Sequence, residues 1–260
     1  MINFEAIKNF YPAQIRDNSL FQKYILKDYI QLMILEHLSA TSFIRKIAFI
    51  GGTSIRLIKG IDRFSEDLDF DCKDFSEKDF YDMTDSVIRF LQRSGFELLV
   101  KDEKKDNVEA YRRNIHFPGL LYNMGLTGHR EERFLIKIES QDQLAVYTPV
   151  MVNIKRCGFF FPMLVPPDGV LCAMKVAAMV NRQKGRDFYD AMFLLSQTMP
   201  DFTFLTNKSG ITDLEALKKT AMELTSRIDM KTKMRDFEHL LFTRNNSRRI
   251  LLANEFFNEL

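Results

Sequence analysis

The spacing of apolar residues predicts several elements in the first third of the chain. Apolar side chains recur with a helical period over Leu20–Leu38, which predicts a helix. The run Ile47–Ile50 is apolar throughout and ends at Gly51-Gly52, which predicts a buried strand leaving through a tight turn, followed by a short helix over Thr53–Lys59. Acidic and apolar residues then alternate up to Cys72, and this period of two predicts a half-buried strand.

The pattern continues as a mixture of helix and strand to about residue 165. A helix is predicted from Ser76 to about Ser94, because Gly95 stands where a C-terminal cap belongs. The charged tract Lys101–Asp106 is predicted to be a hairpin tip, and residues 144–165 are predicted to be extended. The remaining strands are predicted at Phe96–Val100, Arg112–Phe117 and Phe134–Glu139.

After Pro167 the pattern becomes helical almost throughout. We therefore predict a mixed α/β (α+β) fold with a mixed sheet and N-terminal helices in residues 1–165, followed by a helical bundle in residues 166–260. The predicted helices of the second region are Asp168–Asn181, Arg186–Ser196, Asp213–Arg227, Met230–Thr243 and Ser247–Leu260.

The composition is that of a soluble globular protein. Of 260 residues, 46% are hydrophobic and 28% are charged, which excludes disorder as the main state. No apolar run approaches a membrane span and the N-terminus lacks a signal-peptide core, so we expect a cytoplasmic protein without membrane contact. The 3 cysteines and 4 histidines are scattered, which argues against a disulfide framework and a zinc site.

The charges are unevenly distributed. The stretch Asp62–Asp85 contains ten acidic and three basic residues, whereas Arg227–Arg249 contains seven basic and three acidic ones. This distribution suggests a cation site and an anion-binding surface. The alternative is that both stretches are only solvated helix faces.

A glycine turn and an acidic strand carry the candidate chemistry. A strand that ends in Gly51-Gly52 and opens a helix presents backbone N–H groups that can bind phosphate. Asp67 and Asp69 are two residues apart on the next strand and point to one face, where two carboxylates repel unless a cation lies between them. Such oxygen ligands suit Mg²⁺ bound together with substrate phosphates. Asp71 lies on the same face, so either Asp69 or Asp71 could complete the pair with Asp67.

These residues resemble a known family. Ile50-Gly51-Gly52 followed by Asp67-Leu68-Asp69-Phe70 is similar to the signature of polymerase-β-type nucleotidyltransferases. The fuller wording GGTSIRL and RFSEDLDFD resembles the AbiEii/AbiGii toxin family within that superfamily. A second block, Lys175, Arg182 and then Arg186–Asp190, also matches the family pattern of a Lys on one helix and R-D-x-x-D on the next.

The resemblance implies roles for the first block. Asp67 and Asp69 would be ligands of two Mg²⁺ ions, and Arg56 and Arg63 would stabilise charge on the triphosphate. Ser65 would either bind phosphate or only begin the strand. The predicted nucleotide contacts of this block are therefore Gly51, Gly52, Thr53, Arg56, Arg63 and Ser65.

The superfamily also needs a third carboxylate from a later strand. Glu139 is the first candidate for this metal ligand and Asp142 is the second. Lys137 lies two residues before Glu139 on the same strand face and is a predicted nucleotide contact.

The second block of the resemblance has its own implied roles. Lys175 would contact the phosphates, Asp187 would lie near the nucleotide, and Arg186 would bind it. The alternative for Arg186 and Asp190 is a helix-start ion pair with no chemical role.

The resemblance predicts an enzyme that moves a nucleotide from an NTP to an acceptor and releases pyrophosphate. The expected acceptor is RNA such as a tRNA, and the expected setting is a toxin–antitoxin or abortive-infection system with a cognate antitoxin. Two alternatives stay open at this point. The acceptor could be a small molecule or a protein side chain, or the chain could be a non-catalytic nucleotide- or RNA-binding module of the same fold.

Overall fold

The computed structural model describes residues 2–102 and 110–260 and divides into two compact units. The first unit comprises Met1–Gly60 and Phe64–Val165, and the second comprises Ile61–Arg63 and Pro166–Leu260. The sequence predicted a division between residues 165 and 166 but did not indicate that Ile61–Arg63 groups with the second unit. Most of the predicted hairpin tip at Lys101–Asp106 lies outside the described residues.

The first unit combines helices with two β-sheets, which confirms the predicted mixed α/β class. Its helix α4 continues directly into a π-helical turn at Ile55–Lys59. The helices are α1 (Phe4–Lys8), α2 (Ala13–Arg16), α3 (Gln22–Ser39), α4 (Gly51–Ser54), α5 (Glu77–Arg93) and α6 (Leu120–Asn123). The strands are β1 (Ile47–Ile50), β2 (Asp67–Cys72), β3 (Leu99–Asp102), β4 (Tyr111–His116), β5 (Leu135–Gln141), β6 (Val150–Arg156) and β7 (Phe159–Val165).

The larger sheet has the strand order β1-β2-β5-β4-β3. Strands β2 and β5 pair in parallel, and the other neighbours in this sheet pair antiparallel. The apolar region 144–165 folds as an antiparallel hairpin of β6 and β7, which forms the second sheet. The mixed sheet that the sequence predicted is therefore confirmed.

Helix α5 covers one face of the larger sheet. Arg113 of β4 reaches this helix and donates from Nη1 to the Thr84 hydroxyl at 2.8 Å and to the Asp85 carboxylate at 2.5 Å. Leu68 and Ile138 lie on the same face of the sheet and are fully buried. Because side chains alternate along a strand, the neighbours of these residues in sequence point to the opposite face.

The second unit is helical. Its helices are α7 (Asp168–Arg182), α8 (Gly185–Leu195), α9 (Phe202–Ser209), α10 (Leu214–Arg227), α11 (Met230–Arg235) and α12 (Ala253–Asn258), with 3₁₀ turns at Glu238–Leu240 and Arg244–Leu252. The start of α8 packs closely on α11. A Cβ at Gly185 would lie 1.8 Å from the Lys233 carbonyl oxygen, so only glycine permits this approach.

Two helix predictions in this unit are wrong. The helix expected over Met230–Thr243 ends at Arg235, because the next side chain, Asp236, instead accepts a hydrogen bond from the Gly185 amide at 3.0 Å. Leu241 is extended and forms an isolated bridge with Arg63. The helix expected over Ser247–Leu260 forms only as α12, and α9 was not predicted. Among the described residues, no helix is both long and apolar enough to cross a membrane.

Candidate active site on the carboxylate face

The sheet face opposite α5 carries five charged side chains, which we call the carboxylate face. The parallel register of β2 and β5 sets Asp67 opposite Lys137 and Asp69 opposite Glu139. In the antiparallel pair of β4 and β5, Arg112 stands opposite Glu139. Paired residues on neighbouring strands point to the same face, so three carboxylates and two cations share this surface.

Lys137 is the centre of the ion pairs on this face. Its ammonium lies 3.0 Å from Asp67 Oδ2 and 3.2 Å from Glu139 Oε1, and Arg112 forms a second ion pair with Glu139. Burial alone would lower the pKa of Lys137, but the two carboxylates outweigh it and raise that pKa above its usual value. The side chains of Asp67, Lys137 and Glu139 are 26%, 25% and 21% exposed, so solvent and solutes can reach them.

Gly51 allows the glycine turn to approach this face. It has a φ of +80°, and a Cβ built there would lie 2.1 Å from Asp69 Oδ2. Any other residue would therefore be strained in its backbone and would collide with the carboxylate. The sequence predicted that Gly51 and Gly52 form a tight turn, and the structure brings that turn against Asp69.

Asp71 has a different role from its neighbours on β2. Its carboxylate accepts a hydrogen bond from the Gln143 amide at 2.8 Å and another from the Tyr147 hydroxyl. Burial, together with this carboxylate, raises the pKa of Tyr147. Because Asp71 is 8% exposed and holds the segment after β5, Asp67 and Asp69 are the more accessible pair. The alternative candidate Asp142 is exposed, and its carboxylate accepts from the Leu144 amide.

Two residues predicted to bind the nucleotide are instead internal. Thr53 is fully buried, and its hydroxyl donates to the Asp67 carbonyl at 2.5 Å, which fixes α4 to β2. Arg56 is 2% exposed, and its Nη2 lies 3.4 Å from Asp28 Oδ2. Its guanidinium group also lies over the Phe64 ring. The structure therefore shows both side chains in internal contacts, and the nucleotide contacts predicted for them stay predictions. Ser65 is half-buried, and its carbonyl accepts from Gln31 at 3.3 Å, which leaves its predicted role untested.

In the second unit, Arg63, Lys175 and Asp190 form a buried group, which we call the Asp190 cluster. Arg63 donates from two nitrogens to the two Asp190 oxygens at 2.7 and 2.6 Å, and the Lys175 ammonium lies 3.0 Å from Asp190 Oδ2. The side chains of Arg63 and Asp190 are each 1% exposed. Burial opposes ionisation of Asp190, but the two cations outweigh it and lower its pKa to about 2.

The Asp190 cluster bears on two expectations. Arg63 is a buried partner of Asp190, and its predicted contact with the triphosphate stays a prediction. The ion pair considered for Asp190 with Arg186 is formed with Arg63 and Lys175 instead. Lys175 is 7% exposed, so its predicted contact with phosphate would need it to share or leave Asp190.

Asp187 caps the start of α8. Its carboxylate accepts from Arg182 Nη2 at 2.6 Å and from the Lys184 amide at 3.3 Å, and the residue is 1% exposed. This is the helix-start role that acidic residues often have. Arg186 is half-buried, and its predicted nucleotide contact stays a prediction.

Sequence reasoning missed several partners of the predicted site. Arg112 gave no signal because it lies in an ordinary strand pattern, and its contact with Glu139 depends on the pairing of β4 with β5. Asp28 gave no signal within the predicted helix, yet it is 1% exposed, pairs with Arg56 and accepts a hydrogen bond from the Tyr11 hydroxyl.

The comparison with family models identifies the family of the chain. The model of the nucleotidyl transferase AbiEii toxin family, described as a type IV toxin–antitoxin system, matches residues 33–245. The chain belongs to this family. The match confirms the resemblance seen in the glycine turn and the acidic strand, and it spans the carboxylate face as well as the Asp190 cluster. Among curated proteins, none matches the sequence.

Solved structures show that the AbiEii chain shares its fold with nucleotidyltransferases. MenT4, a nucleotidyltransferase toxin from Mycobacterium tuberculosis, is 16% identical, with a TM-score of 0.58 over 100% of this chain and 91% of that one. JHP933 from Helicobacter pylori is 17% identical, with a TM-score of 0.57 over 91% of this chain and 90% of that one. At such identities the likeness concerns the fold alone.

Proposed function

We propose that this AbiEii family protein transfers a nucleotide from an NTP to an acceptor hydroxyl and releases pyrophosphate. The observation that carries the proposal is the geometry around Asp69. Its carboxylate lies against Gly51, while the register of β2 and β5 sets Asp67 and Asp69 beside Glu139. A glycine turn next to three carboxylates is an arrangement suited to a triphosphate and its metal ions.

The donor set of the carboxylate face fits Mg²⁺. Asp67, Asp69 and Glu139 would supply the oxygen ligands that this ion prefers, and all three point to one accessible face. As the side chains lie, no three His, Cys, Asp or Glu residues of the described chain converge to hold an ion. In this arrangement Lys137 pairs with oxygens of both Asp67 and Glu139. Bound there, Mg²⁺ would neutralise the triphosphate and lower the pKa of the acceptor hydroxyl.

The chain's own residues would bind and orient the nucleotide. The glycine turn at Gly51-Gly52 would let the phosphates approach the backbone without a steric barrier. Lys137 is an accessible cation on the same face and would attract the negative charge of the phosphates. Glu139 would orient the acceptor side of the site, since it faces Asp69 across the strand pair.

We further propose that the acceptor is RNA. The seven basic residues between Arg227 and Arg249 are exposed or half-buried, and none forms a salt bridge with another residue of the described chain. Such a basic surface is what binding along an RNA backbone requires. The seven residues are Arg227, Lys231, Lys233, Arg235, Arg244, Arg248 and Arg249.

The family context also supports a regulatory partner. Because the AbiEii family is described as the toxin of a toxin–antitoxin system, we propose that a cognate antitoxin neutralises this protein. Nucleotide transfer to RNA such as a tRNA would be the toxic activity that the antitoxin suppresses.

A labelling experiment tests this function. Purified protein is incubated with total cellular RNA and each α-labelled NTP in turn, with Mg²⁺ or with EDTA. We expect label on RNA from one or more NTPs in the presence of Mg²⁺ and none with EDTA. Label on protein or small molecules would change the acceptor, and no label on any fraction would contradict the proposed activity. The matched control is the Lys155→Met variant, which changes an exposed residue on β6.

A further inference from the structure

Lys137 occupies an unusual position for a phosphate-binding lysine. Its ammonium bridges two strands, at 3.0 Å from Asp67 on β2 and 3.2 Å from Glu139 on its own strand β5. Both carboxylates are proposed metal ligands, so the lysine takes up the oxygens that a divalent cation would need. A carboxylate oxygen that holds an ammonium at this distance has no room for an ion on the same side.

The charges explain why a cation belongs there. Asp67 and Glu139 come from neighbouring strands and would repel each other without a positive charge between them. Lysine offers a compact charge on a flexible stem, so it can neutralise both carboxylates and can also leave by rotating its side chain. Arg112 contacts only Glu139 among these carboxylates and so cannot bridge the two strands.

We propose that Lys137 is an internal counter-cation that holds Asp67 and Glu139 until a divalent metal ion replaces it. Loading of the site is then an exchange in which the ammonium leaves the carboxylates as the metal ion arrives. The released lysine remains on the carboxylate face, two residues from Glu139, where it can meet the phosphates. This inference rests on the proposed function, because it takes Asp67 and Glu139 as metal ligands.

If the Lys137 ammonium and the metal ion compete for Asp67 and Glu139, then removing the lysine should change the metal affinity of the nucleotide-free protein. Removing the ammonium leaves Asp67 without its bridging lysine and Glu139 with Arg112 alone, so the metal ion has one cation fewer to displace. We expect the Lys137→Met variant to bind Mn²⁺ about tenfold more tightly than the wild type. Without metal, this variant should melt at a lower temperature than the wild type, and Mn²⁺ should raise its melting temperature by the larger amount.

The test is a Mn²⁺ titration of the nucleotide-free, full-length protein, followed by the electron paramagnetic resonance signal of free Mn²⁺. Lys137→Gln is measured beside Lys137→Met, so that a folding defect in one variant does not decide the result. Arg112→Met removes a nearby positive charge that does not bridge the strands, and Lys155→Met removes an exposed one from β6. We expect a smaller gain in Mn²⁺ affinity for Arg112→Met than for the Lys137 variants, and no change in Mn²⁺ affinity for Lys155→Met.

Three outcomes would overturn the inference. If the wild type binds Mn²⁺ in a manner that Asp69→Asn abolishes, and neither Lys137 variant binds more tightly, the exchange is wrong while the proposed metal site stands. If Arg112→Met gains as much Mn²⁺ affinity as Lys137→Met, the loss of any nearby positive charge explains the gain. The bridge from Lys137 to Asp67 and Glu139 then has no special role. If no variant shows Asp69-dependent binding, the inference and the proposed metal site are both wrong.

Discussion

The carboxylate face and the Asp190 cluster contain the same kinds of residues in opposite surroundings. On the carboxylate face, Asp67 and Lys137 are 26% and 25% exposed and their ion pair is open to solutes. In the Asp190 cluster, Arg63 and Asp190 are each 1% exposed and joined by two short hydrogen bonds. Both places match motifs of one family, yet only the first leaves its charges able to change partners.

This difference indicates which charges can take part in chemistry. A partly exposed ion pair contributes less to stability than a buried one, because water can still solvate its members when they separate. A buried charge that loses its partner is left uncompensated, which costs much more. We therefore expect exchangeable binding at the carboxylate face and mainly a structural role for the Arg63–Asp190 pair.

The largest expected effect comes from breaking the Asp190 cluster. Asp190→Asn leaves Arg63 and Lys175 buried without their carboxylate, so we expect the free energy of unfolding to fall by about 3–5 kcal/mol. Urea unfolding followed by circular dichroism measures this loss. Asp67→Asn is the matched change on the carboxylate face and should cost less than about 1 kcal/mol. Equal losses in the two variants would remove the distinction between the two places.

Alanine substitutions at Gly51 and Gly60 test how closely the glycine turn approaches Asp69 on the carboxylate face. Gly51 and Gly60 have similar φ angles of +80° and +76°, but a Cβ meets Asp69 only at Gly51 and nothing within 4 Å at Gly60. Gly60→Ala should cost about 1 kcal/mol from backbone strain alone. Gly51→Ala should cost at least about 1 kcal/mol more, because Asp69 must also move. Similar losses by urea unfolding would show that the approach of Gly51 to Asp69 is not tight.

Low pH should weaken the stabilisation that the Asp190 cluster gives the folded protein, because Asp190 becomes protonated. Its pKa is lowered to about 2 in the folded protein, below the value of about 3.9 expected when unfolded. The resulting stabilisation, on the order of 2 kcal/mol, is present above pH ~4 and is lost as the pH falls towards 2. Unfolding free energies of the wild type and Asp190→Asn, measured between pH 5 and pH ~2, should therefore converge at low pH. A constant difference across this range would contradict the lowered pKa.

The smallest expected effect on stability concerns the basic surface of the second unit. Reversing Lys231, Lys233 and Arg235 to Glu should leave the melting temperature and its shift with NTP and Mg²⁺ unchanged. RNA labelling should fall sharply, and the slope of log affinity against log salt should decrease by about 2. Lys155→Glu, on β6 of the first unit, is the control for a general charge effect. Undiminished RNA labelling in the triple variant would exclude this surface from RNA binding.

Local patterns predicted the elements of the fold well where one signal dominated. The apolar run of β1, the alternation of β2 and the capped helix α5 were all visible in the sequence, and the structure has them within a few residues. The helix expected at Met230–Thr243 failed because contacts far along the chain decide its end. Asp236 binds the Gly185 amide, and Leu241 pairs with Arg63.

The candidate site was predictable in its residues but not in their partners. Gly51, Asp67 and Asp69 follow from a motif, because phosphate and metal chemistry demand those residue types at that spacing. Burial of Arg56 and Arg63 could not be predicted, since their acidic partners lie 28 and 127 residues away in the chain. The bridge from Lys137 to Asp67 depends on the parallel register of β2 and β5, which no local pattern encodes.

Nucleotide transfer by Asp69→Asn is the most direct test of the account, because Asp69 joins the glycine turn to the carboxylate face. The measurement is the rate of label transfer from NTP at equal concentrations of folded protein, with wild type and Lys155→Met alongside. We expect transfer by Asp69→Asn to fall to background while its melting temperature is unchanged or higher, since one of several repelling carboxylates is gone. Transfer at the wild-type rate by a folded Asp69→Asn protein would contradict the central claim.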